Sequence, residues 1–109
     1  MVHFELTHTQ EQLELPESVI IEVLEASMRE LSKAVSVFET GIAANDTAAI
    51  KAIAHKIHGM SMTIRLEELS ELTSSIQQME PEEIISSTIV KQTIEEILYT
   101  QSLIAKHLP

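Results

Sequence analysis

Apolar side chains recur at steps of three and four residues through most of this 109-residue chain. Such spacing places the apolar residues along one side of an α-helix, so each segment can bury a single stripe. Only two glycines and three prolines interrupt the pattern, and 44% of the residues are hydrophobic. That content is enough to fill one core without disulfides or metal. The sequence therefore predicts one all-α domain over residues 1–109.

Four stripes predict four main helices. Pro16 with Glu17, and Pro81 with the acidic residues after it, are typical of helix starts, while Asp46 is an expected N-cap. Residues 1–15 fit either a short helix or an arm lying on the bundle. Because the connections are short, the pattern favours an antiparallel up-down four-helix bundle. The stripes are Leu24, Met28, Leu31, Val35, Phe38 and Ile42; Ile50, Ile53, Ala54, Ile57 and Ile64; Leu66, Leu69, Leu72, Ile76 and Met79; and Val90, Ile94, Ile97, Ile104 and Leu108.

The charge balance narrows the classes of partner. Seventeen acidic residues against seven Lys and Arg give a formal net charge of −10. This charge argues against binding to nucleic acid or to an anionic membrane surface. The chain has no cysteine, the first residues lack the basic and apolar regions of a secretory signal, and no apolar run reaches a membrane-spanning length. We expect a soluble cytoplasmic protein.

The third predicted helix carries an unusual exposed face. At roughly 100° per residue, His55 lies roughly 140° from the centre of the isoleucine stripe and is expected to face water. Ala48, Ala52 and Gly59 share this face, with Met62 and Lys51 at its edges. A solvent-facing surface usually carries long polar side chains, and glycine inside a helix costs about 1 kcal/mol relative to alanine. The small residues therefore predict a surface that a partner protein approaches closely.

An exposed neutral imidazole is a competent nucleophile at cellular pH and can form a labile N–P bond. Lys51 and Lys56 are nearby cations that could neutralise phosphate charge. The chain has no GxGxxG or GxxxxGK[ST] loop that would bind a nucleotide. A phosphorylated His55 would therefore receive its phosphate from another phosphoprotein rather than from ATP.

The segment Ala54-His55-Lys56-Ile57-His58-Gly59-Met60-Ser61, followed by Leu66-Glu67-Glu68-Leu69, resembles the signature of the histidine-containing phosphotransfer (HPt) domain family. The resemblance extends to the turn before it and to the length of the chain. It implies a four-helix bundle that exchanges phosphate with an aspartate of a response-regulator receiver domain. The Mg²⁺ for this exchange stays with the receiver, so the resemblance implies no cofactor for this chain. The matching residues are His55 as phosphoacceptor, Lys56 as basic neighbour, Ile57 in the core, Gly59 as access glycine and Ser61 as a small polar position.

The chain departs from that signature at two positions. His58 stands where the family usually has Lys, which weakens the local positive charge above about pH 7. Arg65 stands where a Gly commonly opens the next helix, and this change either requires a differently shaped turn or supplies a cation. We expect Lys56, His58 and Lys51 to form the phosphate environment, and Ala48, Ala52, Gly59, Met62 and Ser61 to form the partner access surface.

Three functions other than phosphotransfer between receivers are compatible with parts of the sequence. His55 and His58 share a helix face and could bind a metal, but further ligands are not evident and the sequence predicts no metal site. The phosphoacceptor bundle of a sensor kinase usually has an acid after its histidine and a proline soon after, whereas here Lys56 follows and the next proline is Pro81. The main alternative is a non-catalytic adaptor that binds a signalling partner through Ala48, Ala52 and Gly59. The sequence favours a phosphorelay carrier without autonomous kinase activity, which accepts phosphate on His55 from a receiver aspartyl phosphate or a kinase-linked phosphoprotein and passes it to another response regulator. We expect a monomer that pairs transiently with receivers and with a sensor or hybrid kinase.

Overall fold

The computed structural model describes residues 2–109 and contains six helices and no strand within that range. The expected all-α class is confirmed. The helices are α1 (Leu6–Leu13), α2 (Glu17–Ala43), α3 (Thr47–Thr63), α4 (Glu67–Gln78), α5 (Pro81–Ser86) and α6 (Ile89–Ala105). None of the described helices is long and apolar enough to cross a membrane.

The four long helices form a bundle around one core. α2 packs against α3 and α6, and α4 packs against the same two helices. Each predicted stripe supplies fully buried side chains to this core, among them Leu24, Phe38, Ile57, Ile76 and Ile97. Ile42 was expected in the α2 stripe but is 39% exposed, because it lies in the last turn of α2, where the bundle covers it only in part.

Short turns set the boundaries of α3. Asp46 is its N-cap, as predicted, and accepts a 3.0 Å hydrogen bond from the backbone N–H of Ala49. The preceding Asn45 has a φ of 52°, a left-handed conformation that asparagine tolerates better than most residues. At the other end Arg65 has a φ of 62° and reverses the chain into α4. These turns position both ends of the helix that carries His55.

The predicted fourth helix, beginning at Pro81, is interrupted at Ser87 and Thr88. Ser87 is extended, and its hydroxyl accepts a 3.2 Å hydrogen bond from the backbone N–H of Ile89. Serine side chains compete in this way for backbone groups that would otherwise continue a helix. The result is a short α5 followed by a separate α6.

The N-terminal segment is an extended arm followed by a short helix, so it combines the two predicted alternatives. Met1, the first residue of that segment, lies outside the described residues. Phe4 is buried, and the Val2 carbonyl accepts a 3.0 Å hydrogen bond from the N–H of Glu68 in the first turn of α4. Buried Thr9 donates a 2.7 Å hydrogen bond to the carbonyl of Ile64. The arm and α1 therefore cover the turn between α3 and α4.

Candidate functional site

His55 lies in the middle of α3 with its side chain exposed, as the helical projection predicts. The buried residues of α3 are on the other side of the helix, where Ile50, Ala54 and Ile57 enter the core. Because α3 is flanked by α2 and α4, side chains from both neighbours can reach the margins of its exposed face. The site is therefore built from three helices.

Gln77 of α4 fixes the orientation of the imidazole. Its side-chain oxygen lies 2.9 Å from His55 Nδ1. The amide nitrogen of Gln77 donates a 3.3 Å hydrogen bond to the carbonyl of Thr73, which leaves the amide oxygen to face the histidine. A carbonyl oxygen can only accept, so Nδ1 carries the proton and Nε2 keeps a free lone pair. The arrangement favours the tautomer in which Nε2 is unprotonated.

His58 also contacts α4, but in a different way. Its Nδ1 donates a 3.0 Å hydrogen bond to the backbone carbonyl of Ser70, and it lies 3.3 Å from the hydroxyl of buried Thr73. The side chain is half-buried. His58 is thus part of the contact between α3 and α4, one turn along the helix from His55.

Lys56, which follows His55 directly, is paired with α2. Its ammonium lies 2.9 Å from Glu30 Oε2, and the Lys33 ammonium lies 3.9 Å from the other oxygen of the same carboxylate. The hydrogen bond and positive charge of Lys56 lower the pKa of Glu30 below its ordinary value. Lys51, one turn before His55, is half-buried and forms no ion pair with the described residues.

The exposed face around His55 carries small residues. Ala48, Ala52 and Gly59 are exposed, and Met62 at the far end of the stripe is 59% exposed. A Cβ built on Gly59 would meet no described atom within 4 Å. Nothing inside the described part of the chain therefore requires glycine at this position.

Residues 20–100, well over half of the chain, match the family described as the Hpt domain. The chain belongs to the Hpt domain family. The resemblance identified from the sequence is thereby confirmed, and histidine phosphotransfer in two-component signalling is the activity of this family. The searches of curated proteins and of solved structures found no match.

One residue expected on the access surface of this Hpt domain lies elsewhere. Ser61 is fully buried and donates a 2.7 Å hydrogen bond to the carbonyl of Ile57. It follows Ile57 by one turn and so shares the core-facing side of α3, opposite the His55 face. Ser61 fills a small space beneath the helix and is not available to a partner, so its assignment to the access surface is wrong.

Arg65 has a left-handed backbone, which a glycine would adopt more easily. The guanidinium contacts Glu67, with 3.6 Å between Nε and Oε1, and lies beyond the end of α3. The differently shaped turn and the added cation, the two alternatives left open by the sequence, both stay predictions.

Two residues of the site were not found from the sequence. Gln77 and Glu30 lie on α4 and α2, and only packing of these helices brings them to α3. Neither belongs to the motif around His55, and the sequence contains many similar exposed Gln and Glu residues. In the described part of the chain, no group of three or more His, Asp or Glu side chains could hold a metal ion.

Proposed function

We propose that this Hpt domain is a phosphorelay carrier that accepts a phosphoryl group on His55 from the aspartyl phosphate of one receiver domain and passes it to another response regulator. The observation that carries the proposal is the hydrogen bond between His55 Nδ1 and the Gln77 side-chain oxygen at 2.9 Å. This hydrogen bond orients an exposed imidazole, with Nε2 free, on a face of α3 that carries small side chains.

The transfer step needs no reactant besides the His55 imidazole and the aspartyl phosphate. The Nε2 lone pair attacks phosphorus, the bond between phosphorus and the acyl oxygen breaks, and the aspartate leaves as a carboxylate. Nδ1 retains its proton, and the positive charge that develops on the ring is stabilised by the Gln77 oxygen. Phosphoryl transfer otherwise needs positioning and charge neutralisation. We propose that Lys56, His58 and Lys51 contribute positive charge, and that the Mg²⁺ is held by the receiver.

The access surface in this proposal consists of Ala48, Ala52, Gly59 and Met62. Their side chains leave the α3 backbone open to a partner, and the exposed Met62 can adapt to varied apolar surfaces. We further propose that the four long helices run up and down in antiparallel order, because three-residue turns join α2 to α3 and α3 to α4. The protein would act in the cytoplasm as a monomer that forms transient complexes with receivers and an upstream kinase.

The test is transfer of phosphate from a phosphorylated receiver domain of the same organism, followed as acid-labile phosphate on this chain. The unchanged protein should become labelled, and His55→Gln should not. His58→Gln is the matched control, since it removes the other α3 histidine and should still accept label. Label on His55→Gln, or no label on the unchanged protein, would refute the carrier function.

The alternative function is a non-catalytic adaptor that uses the Ala48, Ala52 and Gly59 face. It is favoured if a receiver binds the unchanged protein and His55→Gln with equal affinity while phosphate never reaches either chain. Gln77→Leu separates the two functions further. Loss of one neutral hydrogen bond should slow phosphorylation by roughly two- to ten-fold, and an adaptor would bind as before.

A further inference from the structure

The ion pair between Lys56 and Glu30 holds the ammonium of the residue that follows His55 toward α2. The Lys56 side chain is 61% exposed and that of Glu30 is 33% exposed. Such exposed pairs are weak and exchange readily, because water and salt screen them. The 2.9 Å contact therefore describes a preferred position of Lys56 that a stronger anion nearby can change.

A phosphoryl group on His55 is such an anion. Phosphate bound to a side chain carries nearly two negative charges and three acceptor oxygens, whereas a carboxylate carries one charge. Lys56 is the residue directly after His55 and has four rotatable methylene groups, so its ammonium can turn from α2 toward the imidazole. The phosphorylated site would compete with Glu30 for the same ammonium.

Glu30 would keep positive charge beside it after such a change. Lys33 lies 3.9 Å from Glu30 Oε1, and Arg29 also contributes positive charge at this carboxylate. Loss of Lys56 therefore does not leave Glu30 without a compensating charge, which lowers the free-energy cost of the exchange.

We propose that Glu30 is a positioning residue for phosphotransfer, which holds the Lys56 ammonium toward α2 while the imidazole is free and releases it to the phosphoryl group once His55 is phosphorylated. This inference rests on the proposed function of His55. Glu30 itself touches neither the phosphate nor the reacting nitrogen. Its effect is to hold Lys56 back from His55 and so to limit how strongly Lys56 attracts anions to the free imidazole.

The experiment is a competition for phosphoramidate, a small phosphoryl donor whose P–N bond breaks with release of ammonia as the N–P bond to His55 forms. The ¹⁵N-labelled unchanged protein and unlabelled Glu30→Gln are mixed with limiting phosphoramidate at low salt, and both phosphorylated products are counted by mass spectrometry. Glu30→Gln should react about two- to five-fold faster, the range that an exposed ion pair contributes. The advantage should shrink at 1 M salt, where screening is nearly complete.

Two controls separate positioning from a general effect of charge. Glu25→Gln removes a carboxylate of α2 that is more exposed than Glu30 and forms no ion pair with the described residues, so it should react at the unchanged rate. In a Lys56→Ala background, Glu30→Gln should give no advantage, because the residue that Glu30 positions is gone. An advantage that persists without Lys56, or equal rates for Glu30→Gln and the unchanged protein, would overturn the proposal.

Direct observation of the carboxylate provides a second measurement. At pH 8, where phosphohistidine persists, the ¹³Cδ resonance of Glu30 should move on phosphorylation while that of Glu25 stays in place. A stationary Glu30 resonance in a fully phosphorylated sample would contradict release of Lys56. If phosphate never appears on His55 in any variant, the proposed function fails. If phosphate appears but Glu30 is unaffected, only the role of Glu30 fails.

Discussion

The two glycines of this chain both lie inside helices but for opposite reasons. Gly41 on α2 is buried, and a Cβ there would lie 2.7 Å from Cγ1 of Ile50 on α3. Gly59 on α3 is exposed, and a Cβ there would meet no described atom within 4 Å. Neither glycine has a positive φ. Gly41 is needed for contact between two helices of the same chain, whereas no described atom requires Gly59, and the proposed reason for it is contact with a partner.

The largest expected effect is on transfer from a receiver when the Gly59 surface is blocked. Gly59→Arg should reduce receiver-dependent phosphorylation of His55 by about 100-fold or more, because a long charged side chain would stand in the docking interface. Phosphorylation by phosphoramidate should change little, since that small donor needs no interface. The measurement compares Gly59→Arg with the unchanged protein in the rate of His55 phosphorylation by the receiver and by phosphoramidate.

The matched control places the same charge far from His55. Ala105→Arg adds an arginine at the exposed end of α6 and should leave both rates unchanged. Equal loss of both reactions in Gly59→Arg would mean that the imidazole itself had been disturbed and would break the assignment of Gly59 to docking.

Gly41→Ala tests the other member of the pair. The added methyl group would be forced against Ile50, and overpacking of this kind costs about 1–3 kcal/mol in the free energy of unfolding. Urea denaturation followed by circular dichroism gives the value. A stability equal to or above that of the unchanged protein would show that α2 and α3 can separate without penalty.

Arg65 extends the comparison of Gly41 with Gly59, because it has the left-handed backbone conformation that neither glycine adopts. Arg65→Gly should raise the free energy of unfolding by about 1 kcal/mol, since glycine has no Cβ to clash in that conformation. Arg65→Ala is the control: it removes the guanidinium but keeps the Cβ, so it should give no gain. Equal stabilisation by both substitutions would trace the effect to the arginine charge.

The smallest expected effect is a gain in stability from Gly59→Ala. Alanine is favoured over glycine in a helix interior by about 0.5–1 kcal/mol, and the site has room for a methyl group. Thermal unfolding should therefore shift upward while receiver-dependent transfer falls. A variant that is more stable and equally active would leave Gly59 without a functional explanation.

Much of the fold was predictable because helix periodicity is a local property. The spacing of Leu24, Leu31 and Phe38 identified the buried side of α2, and Asp46 identified the start of α3. The break at Ser87 was missed because the apolar rhythm continues across it, and the hydroxyl of Ser87 decides the backbone locally. The prediction for Ser61 was wrong because its position in the family signature carries no information about burial.

For the site, the sequence by itself determined which residue is the candidate acceptor and which face of α3 carries it. These properties depend on the order of residues along one helix, so His55, Ala52 and Gly59 could be placed on the same side from spacing alone. The match of residues 20–100 to the Hpt domain agrees with that local pattern.

The tertiary structure decided what surrounds the imidazole. Gln77 and Glu30 reach His55 and Lys56 from α4 and α2, and helix packing brings together residues that lie far apart in the chain. Hydrogen bonds and ion pairs depend on distances of a few ångströms between side chains, which residue spacing within one helix cannot specify. The sequence thus determined the histidine and its exposed face, and only the packing of α2 and α4 against α3 determined which nitrogen stays free and where the neighbouring cation is held.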